Sequence, residues 1–127
     1  MKRLRQNIRE IASVLYRTGL VQGSELLLKR ELKASAATVA WPGLQQSLFL
    51  RPATSDYRVF LQVFLYREYA IRLNFTPNVI VDGGANIGLA TVYLKSQYPA
   101  AKIIAIEPDA SNVAVLRRNI AGYPDIH

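Results

Sequence analysis

The sequence contains no cysteine, and only one tryptophan, one methionine and one histidine, in 127 residues. Without cysteine there is no disulfide, no thiolate metal site and no cysteine nucleophile, and no metal site is expected. The one histidine, His127, stands at the last position, a place for a frayed side chain rather than a catalytic base. No window approaches the uninterrupted apolar length of a membrane span. The N-terminal apolar residues are interrupted by Arg9, Glu10 and Arg17, with no small-residue cleavage site after them, which argues against a secretory signal. No Gly-Lys-Ser/Thr follows a glycine loop, so a P-loop is excluded, and neither an internal repeat nor a low-complexity segment occurs. A reducing cytoplasm is the expected compartment.

What is there is globular: half of the residues are hydrophobic and a fifth charged, and the length suffices for one domain with a core. The net charge of +7 is uneven, because residues 1 to 33 hold eight Lys/Arg against three Glu. Lys2, Arg3, Arg5 and Arg9 accompany Leu4, Ile8, Ile11 and Leu15, which fall on one stripe of a helix. A packing helix with a solvated basic face is the first reading. Peripheral contact with an anionic surface such as lipid headgroups is the second. No aromatic-interleaved basic patch supports nucleic acid as a partner.

Residues 3 to 17 read as a first helix ended near Gly19, and residues 24 to 34 as a second, with Ser24 at its start. "KASAATVAWPGLQQ" carries linker and turn residues, which divides the chain into a basic helical segment, 1–40, and a second unit, 41–127. Trp41, beside Pro42, reads as a packing anchor. "SLFLRP" is a short early strand stopped by Pro52. In "TSDYRVFLQVFLYREYAI", Tyr57, Phe60, Leu61, Phe64, Leu65 and Tyr69 keep helical spacing, with Thr54, Ser55 or Asp56 as caps. Then "NVIVDG", "GLATVYLKSQY", "AKIIAIEP" and "DASNVAVLRRNI" alternate strand, helix, strand, helix. That order predicts an α/β fold with a parallel sheet, and strands apolar almost throughout, as in a sheet covered by helices on both faces.

The first of these strands ends at Asp82 and runs through "GGANIG" into a helix. So sharp a turn needs residues that tolerate positive φ or lack a Cβ, which accounts for Gly83, Gly84 and Gly88, with Asn86 the next most tolerant type. Ligands of open parallel sheets sit at these carboxyl ends of strands. Glu107 closes the second strand, where a carboxylate can accept both hydroxyls of a ribose. The dinucleotide fingerprint is met only loosely, by Gly83, Ala85 and Gly88, whereas D-x-G-x-x-x-G is met by Asp82, Gly84 and Gly88 without substitution. A carboxylate beside the loop suits a cationic ligand and repels a diphosphate.

"VIVDGGANIGLATVYLKSQYPAAKIIAIEPDASNVAVLRRNI" closely resembles the first half of the S-adenosylmethionine-dependent methyltransferase domain of the FkbM family, and "LRPATSDYRVFLQVFLYREYAI" resembles the segment before it. The resemblance covers roughly residues 47 to 121. It implies a Rossmann-like class I methyltransferase sheet, incomplete here and preceded by the N-terminal helical segment. S-adenosyl-L-methionine is the implied cofactor, with Asp82, Gly83, Gly84, Ala85, Asn86 and Gly88 in the loop beside its methionine part and Glu107 at its ribose. Asn119 matches a family asparagine without an assigned role, and Ser55 and Asp56 match a family "SD" pair read as helix caps. The implied activity is methyl transfer to a hydroxyl of a sugar, glycolipid or secondary metabolite; no catalytic base is identified. Family members continue with further strands, so the chain is expected to be truncated, weak or inactive alone, and prone to self-association through its incomplete sheet. The alternatives are an NAD-type nucleotide-binding fragment and a non-catalytic chain acting through a partner.

Overall fold

A computed structural model describes residues 2–19, 23, 27 and 36–127. The expected helix over residues 24 to 34, with Ser24 at its start, lies outside the described residues apart from Leu27.

Helix α1 (Lys2–Thr18) stops where Gly19 turns to a φ of 83°, the left-handed conformation that glycine adopts at helix ends. Its packing face differs from the expected stripe. Val14 is buried in the core and Glu10 accepts a hydrogen bond from the Tyr66 hydroxyl at 3.1 Å, while Ile8 and Ile11 are 56 % and 41 % exposed. At 100° per residue, Glu10 and Val14 define the body-facing side, and Ile8 lies about 120° round from Val14. Ile8 and Ile11 are therefore left toward solvent, while Leu15 is half-buried.

Strands β1 (Ala37–Val39) and β2 (Leu48–Leu50) form an antiparallel pair, with Thr38 opposite Phe49. β2 is the predicted early strand. β1 falls inside the segment expected to be linker; its small, alternating residues pair because Ala37 and Val39 turn inward beside Leu48 and Leu50. Helix α2 (Asp56–Phe60) then widens into a π-helical segment, Leu61–Leu65, in which the Tyr66 N–H reaches back five residues to the Leu61 carbonyl at 2.8 Å. The helix was expected to run to Ile71. The widened turn and the positive φ of Arg67, 56°, end it at Tyr66, and Tyr69 is left exposed. The widening also brings Val63 into the core beside Phe60, Leu61 and Phe64. Trp41 anchors this cluster as expected, edge-on to Phe60 at 5.5 Å and 5.4 Å from Phe64, and Tyr93 meets Phe64 edge-on at 5.7 Å. Each such pair adds about 0.5–1.5 kcal/mol beyond the area it buries.

The second half follows the expected alternation: β3 (Val79–Gly83), α3 (Leu89–Gln97), β4 (Lys102–Ile106) and α4 (Ala110–Ile120). β3 and β4 are parallel, with Val81 opposite Ile104 and Gly83 opposite Ile106, and α3 makes the crossover between them. On the other side of β4 a further parallel bridge joins Ile103 to Ile126. The Ile103 N–H donates to the Asp125 carbonyl at 2.9 Å, and the Ala105 N–H to the His127 carbonyl at 2.7 Å. His127 is therefore not frayed: its backbone is tied to β4.

The chain is thus mixed α/β, with one antiparallel and one parallel two-stranded sheet among the described residues. Coverage of the parallel sheet by helices on both faces is not what forms. Ile80 and Ile103 face the helices, but Val79, Val81, Ile104 and Ile106 are exposed, Val81 by 61 %. Both strands are apolar on both sides in sequence, and among the described residues only one side is covered. No described helix is long and apolar enough to cross a membrane.

Candidate functional site

The site is built where β3 and β4 end side by side. Asp82 lies opposite Ala105 on the helix-covered face, and its Oδ2 accepts the hydroxyl hydrogen of the fully buried Thr91 at 2.6 Å. One carboxylate oxygen thereby pins the first turn of α3 to the end of β3.

Beyond Asp82 the loop closes on the neighbouring strand. The N–H groups of Gly84 and Ala85 both donate to the Ile106 carbonyl at 2.9 Å, and the Asn86 N–H donates to Glu107 Oε2 at 2.8 Å. Gly84 and Gly88 take φ of 81° and 82°, and Asn86 takes 51°, as the sharp turn demands. Gly88 also allows close packing, since a Cβ there would stand 3.3 Å from Leu116 Cγ and 3.4 Å from Ile120 Cγ2. Gly83 needs no positive φ, and a Cβ on Gly83 or Gly84 would meet no heavy atom within 4 Å. These two positions leave bare backbone facing open space.

Glu107 is half-buried and accepts three hydrogen bonds: Oε2 from Asn86 N–H, and Oε1 from the Asp109 N–H at 2.9 Å and the Asn112 amide at 3.3 Å. The Asp109 backbone bond, with help from Asn86 and Asn112, holds its pKa below the ordinary carboxylate value and outweighs partial burial. A carboxylate has about four acceptor positions, so one remains, on Oε2, for an incoming hydroxyl. The ribose reading had both hydroxyls on this group; only one fits without displacing a partner.

The sequence-predicted residues are thus brought together: Asp82, Gly83, Gly84, Ala85, Asn86 and Gly88 form one loop, and Glu107 is bonded directly to it across 21 positions. The "SD" pair behaves differently from the capping reading. Ser55 makes no side-chain cap bond, and Thr54 instead accepts the Asp56 N–H at 3.2 Å. Asp56 is fully buried and forks onto Arg51, with Oδ2 accepting from Nε at 2.9 Å and Oδ1 from a terminal nitrogen at 3.0 Å. Burial alone would raise its pKa, but the Arg51 bonds win and hold it below the ordinary carboxylate value.

The sequence leaves Asn119 without a role and does not single out Arg51 or Asn112. Asn119 is fully buried and clamps β2 to the glycine loop, accepting from Phe49 N–H at 2.7 Å and donating to the Phe49 and Ile87 carbonyls at 3.2 and 2.9 Å. Arg51 and Asn112 meet at 2.8 Å beside Glu107; the run "EPDASN" offered the only signal, an asparagine one helical turn after a capping aspartate. Among the described residues no group of three acidic or histidine side chains could hold a metal ion.

Chemically, the arrangement offers two carboxylates at neighbouring strand ends and an open, side-chain-free stretch between them. The loop N–H groups of Gly84, Ala85 and Asn86 are already used inside the protein, so they form no nest for a phosphate. No protein-family model matches the chain. It is similar to "Methyltransferase sdnD" of Sordaria araneosa, 43 % identical over 63 residues, half of this chain and 24 % of that protein. It is also similar to "Methyltransferase 1" of Beauveria bassiana (strain ARSEF 2860), 32 % identical over 76 residues, 58 % of this chain and 30 % of that protein. The match thus spans about a quarter to a third of the length of these curated relatives.

Proposed function

We propose that the chain carries the cofactor-binding half of an S-adenosylmethionine-dependent methyltransferase domain of the FkbM type, on a class I Rossmann-like framework. The observation that carries this reading is the glycine loop closed on the end of β4, with Asp82 on one side and Glu107 on the other. Bare backbone at Gly83 and Gly84 leaves room for a ligand, and the open position on Glu107 Oε2 suits a ribose hydroxyl. Asp82 beside the loop favours a cationic ligand such as a sulfonium. The residues present therefore fit the group: Gly83 and Gly84 beside its amino-acid part, and Glu107 on its ribose. When bound it supplies an electrophilic methyl, and a hydroxyl of a sugar, glycolipid or secondary metabolite is the acceptor class. The similarity to two proteins named methyltransferases supports the same reading.

An NAD-type reading is weaker on the same geometry. A pyrophosphate needs free loop N–H groups, and Gly84, Ala85 and Asn86 have committed theirs. Calorimetric titration of the Glu107→Ala and Asp82→Asn variants with S-adenosylhomocysteine tests the proposal. Each weakens binding at least tenfold with an unchanged circular dichroism spectrum; wild-type affinity in both variants refutes it.

For the basic helix we propose contact with an anionic lipid surface. α1 carries Lys2, Arg3, Arg5, Arg9 and Arg17 against Glu10 alone. That acid is turned to the body of the protein, while Ile8, Ile11 and Tyr16 are exposed. An apolar stripe with basic flanks suits the headgroup region of a bilayer.

A further inference from the structure

Glu107 is held by groups from two separate parts of the chain. Asn86 comes from the glycine loop, and Asp109 from its own turn, but Asn112 belongs to the first turn of α4 and is itself held from the β2–α2 connection. One Asn112 amide face donates to Glu107 Oε1 at 3.3 Å, and the other accepts from Arg51 at 2.8 Å.

An asparagine amide can sit either way round, presenting its NH2 or its carbonyl to a given neighbour. Presented carbonyl-first to Glu107 it would repel the carboxylate and weaken the hold on Oε1. Arg51 fixes the same orientation from the other side of the amide, because a guanidinium has donors only and is always charged. It accepts nothing, so the amide oxygen must face it and the NH2 must face Glu107. Arg51 is in turn fixed by its fork onto the buried Asp56 and by its own backbone N–H, which donates to Asp56 Oδ2 at 2.9 Å. Its second terminal nitrogen reaches Ser111 Oγ at 3.4 Å, on the same turn of α4.

We propose that Arg51 and Asn112 are positioning residues for the ligand site: Asp56 sets Arg51, Arg51 sets the Asn112 amide, and Asn112 fixes the plane of the Glu107 carboxylate so that Oε2 presents its open acceptor position. The relay ties the loop before α2 to the ligand site, which explains why a buried ion pair is kept there at all. It rests on the cofactor reading for its purpose, but its geometry stands without a ligand.

The charged groups around Glu107 are few. Asp109 bears on it from its own turn, Arg51 from the β2–α2 connection through Asn112, and Asp82, whose Oδ2 is occupied by Thr91, lies at the end of β3. Loss of the Asn112 donor removes a stabiliser of the charged form, so the Glu107 pKa rises.

The test uses the full chain and the variants Arg51→Lys, Asn112→Ala and their double. Lysine keeps a cation for Asp56 and loses the fork, and Asn112 is only half-buried with its backbone cap intact, so thermal unfolding confirms that each variant folds. Two readouts follow: the titration of the Glu107 side-chain carboxyl by carbon-13 NMR without ligand, and affinity for S-adenosylhomocysteine. The relay predicts that both single variants shift the Glu107 titration to higher pH and weaken binding about tenfold, the worth of one charged hydrogen bond. The double variant goes no further than Asn112→Ala. A Glu107 titration unmoved by Arg51→Lys, or effects that add in the double variant, overturns the relay. Shifted titrations in a chain whose wild type binds no S-adenosylhomocysteine would uphold the relay and instead remove the cofactor reading.

Discussion

Replacing Gly83, Gly84 and Gly88 in turn by alanine separates what the turn needs from what a ligand needs. Gly88 has a φ of 82°, and its new Cβ would stand 3.3 Å from Leu116 Cγ and 3.4 Å from Ile120 Cγ2. Left-handed strain costs about 1–2 kcal/mol, and displacement of the α4 side chains adds to it, so Gly88→Ala should lose about 2–3 kcal/mol. Gly84 has nearly the same φ, 81°, with nothing within 4 Å, so only the strain of about 1–2 kcal/mol applies. Gly83 has neither the positive φ nor a neighbour. Its alanine variant should be neutral or gain about 0.5 kcal/mol through the stiffer unfolded chain. Urea unfolding followed by circular dichroism measures the three values. The same variants titrated with S-adenosylhomocysteine give the second axis, on which Gly83→Ala loses binding despite its intact fold because the methyl fills the open stretch beside Asp82. A Gly83→Ala chain as unstable as Gly88→Ala, or one that binds as wild type, would refute the reasoning.

Asp56→Asn should cost about 2–3 kcal/mol in the same unfolding assay, at the low end for a broken buried pair because the Arg51 side chain is 23 % exposed and can rehydrate. Since the folded Asp56 pKa is depressed, its contribution is present above the ordinary value of 3.8 and is lost as pH falls below it; the Asn variant should show a flatter stability profile between about pH 4 and 2. Asn119→Leu leaves the Phe49 and Ile87 groups unpaired and should lose about 3 kcal/mol, given roughly 1–3 kcal/mol for each buried polar group left without a partner; a loss under 1 kcal/mol would show that water replaces the clamp. Sedimentation with vesicles containing phosphatidylserine should bring the chain down at low salt and release it at high salt, and an Ile8→Glu/Ile11→Glu variant should stay in solution throughout.

The second half of the chain was legible because its signals are local and agree with one another. β3 and β4 are short apolar runs bounded by turn residues, and Gly88 and Asp109 mark the starts of α3 and α4. The loop and Glu107 were legible for the same reason, since glycine spacing and strand-end carboxylates are readable without knowing what packs where. The rest depended on tertiary contacts. β1 is three residues long and is a strand only because β2 lies beside it. The π-helical widening of Leu61–Leu65 breaks the 3.6-residue period on which the longer helix was predicted. In α1 the apolar stripe was visible, but whether it faces the body or the solvent is decided by Glu10 and Val14, which bond and pack to one side of it. Asp56 looked like a cap because it opens a helix, and its partner, Arg51, is defined by burial that the sequence does not display.

The central claim is that the loop from Asp82 to Gly88, together with Glu107, is a site for S-adenosylmethionine and its demethylated product rather than for a dinucleotide. Calorimetric titration of the purified 127-residue chain with S-adenosylhomocysteine, and with NAD as the comparison ligand, tests it most directly. Saturable binding of S-adenosylhomocysteine with none of NAD is the predicted result. Preference for NAD, or no binding of either ligand by a chain that is folded by circular dichroism, would contradict it.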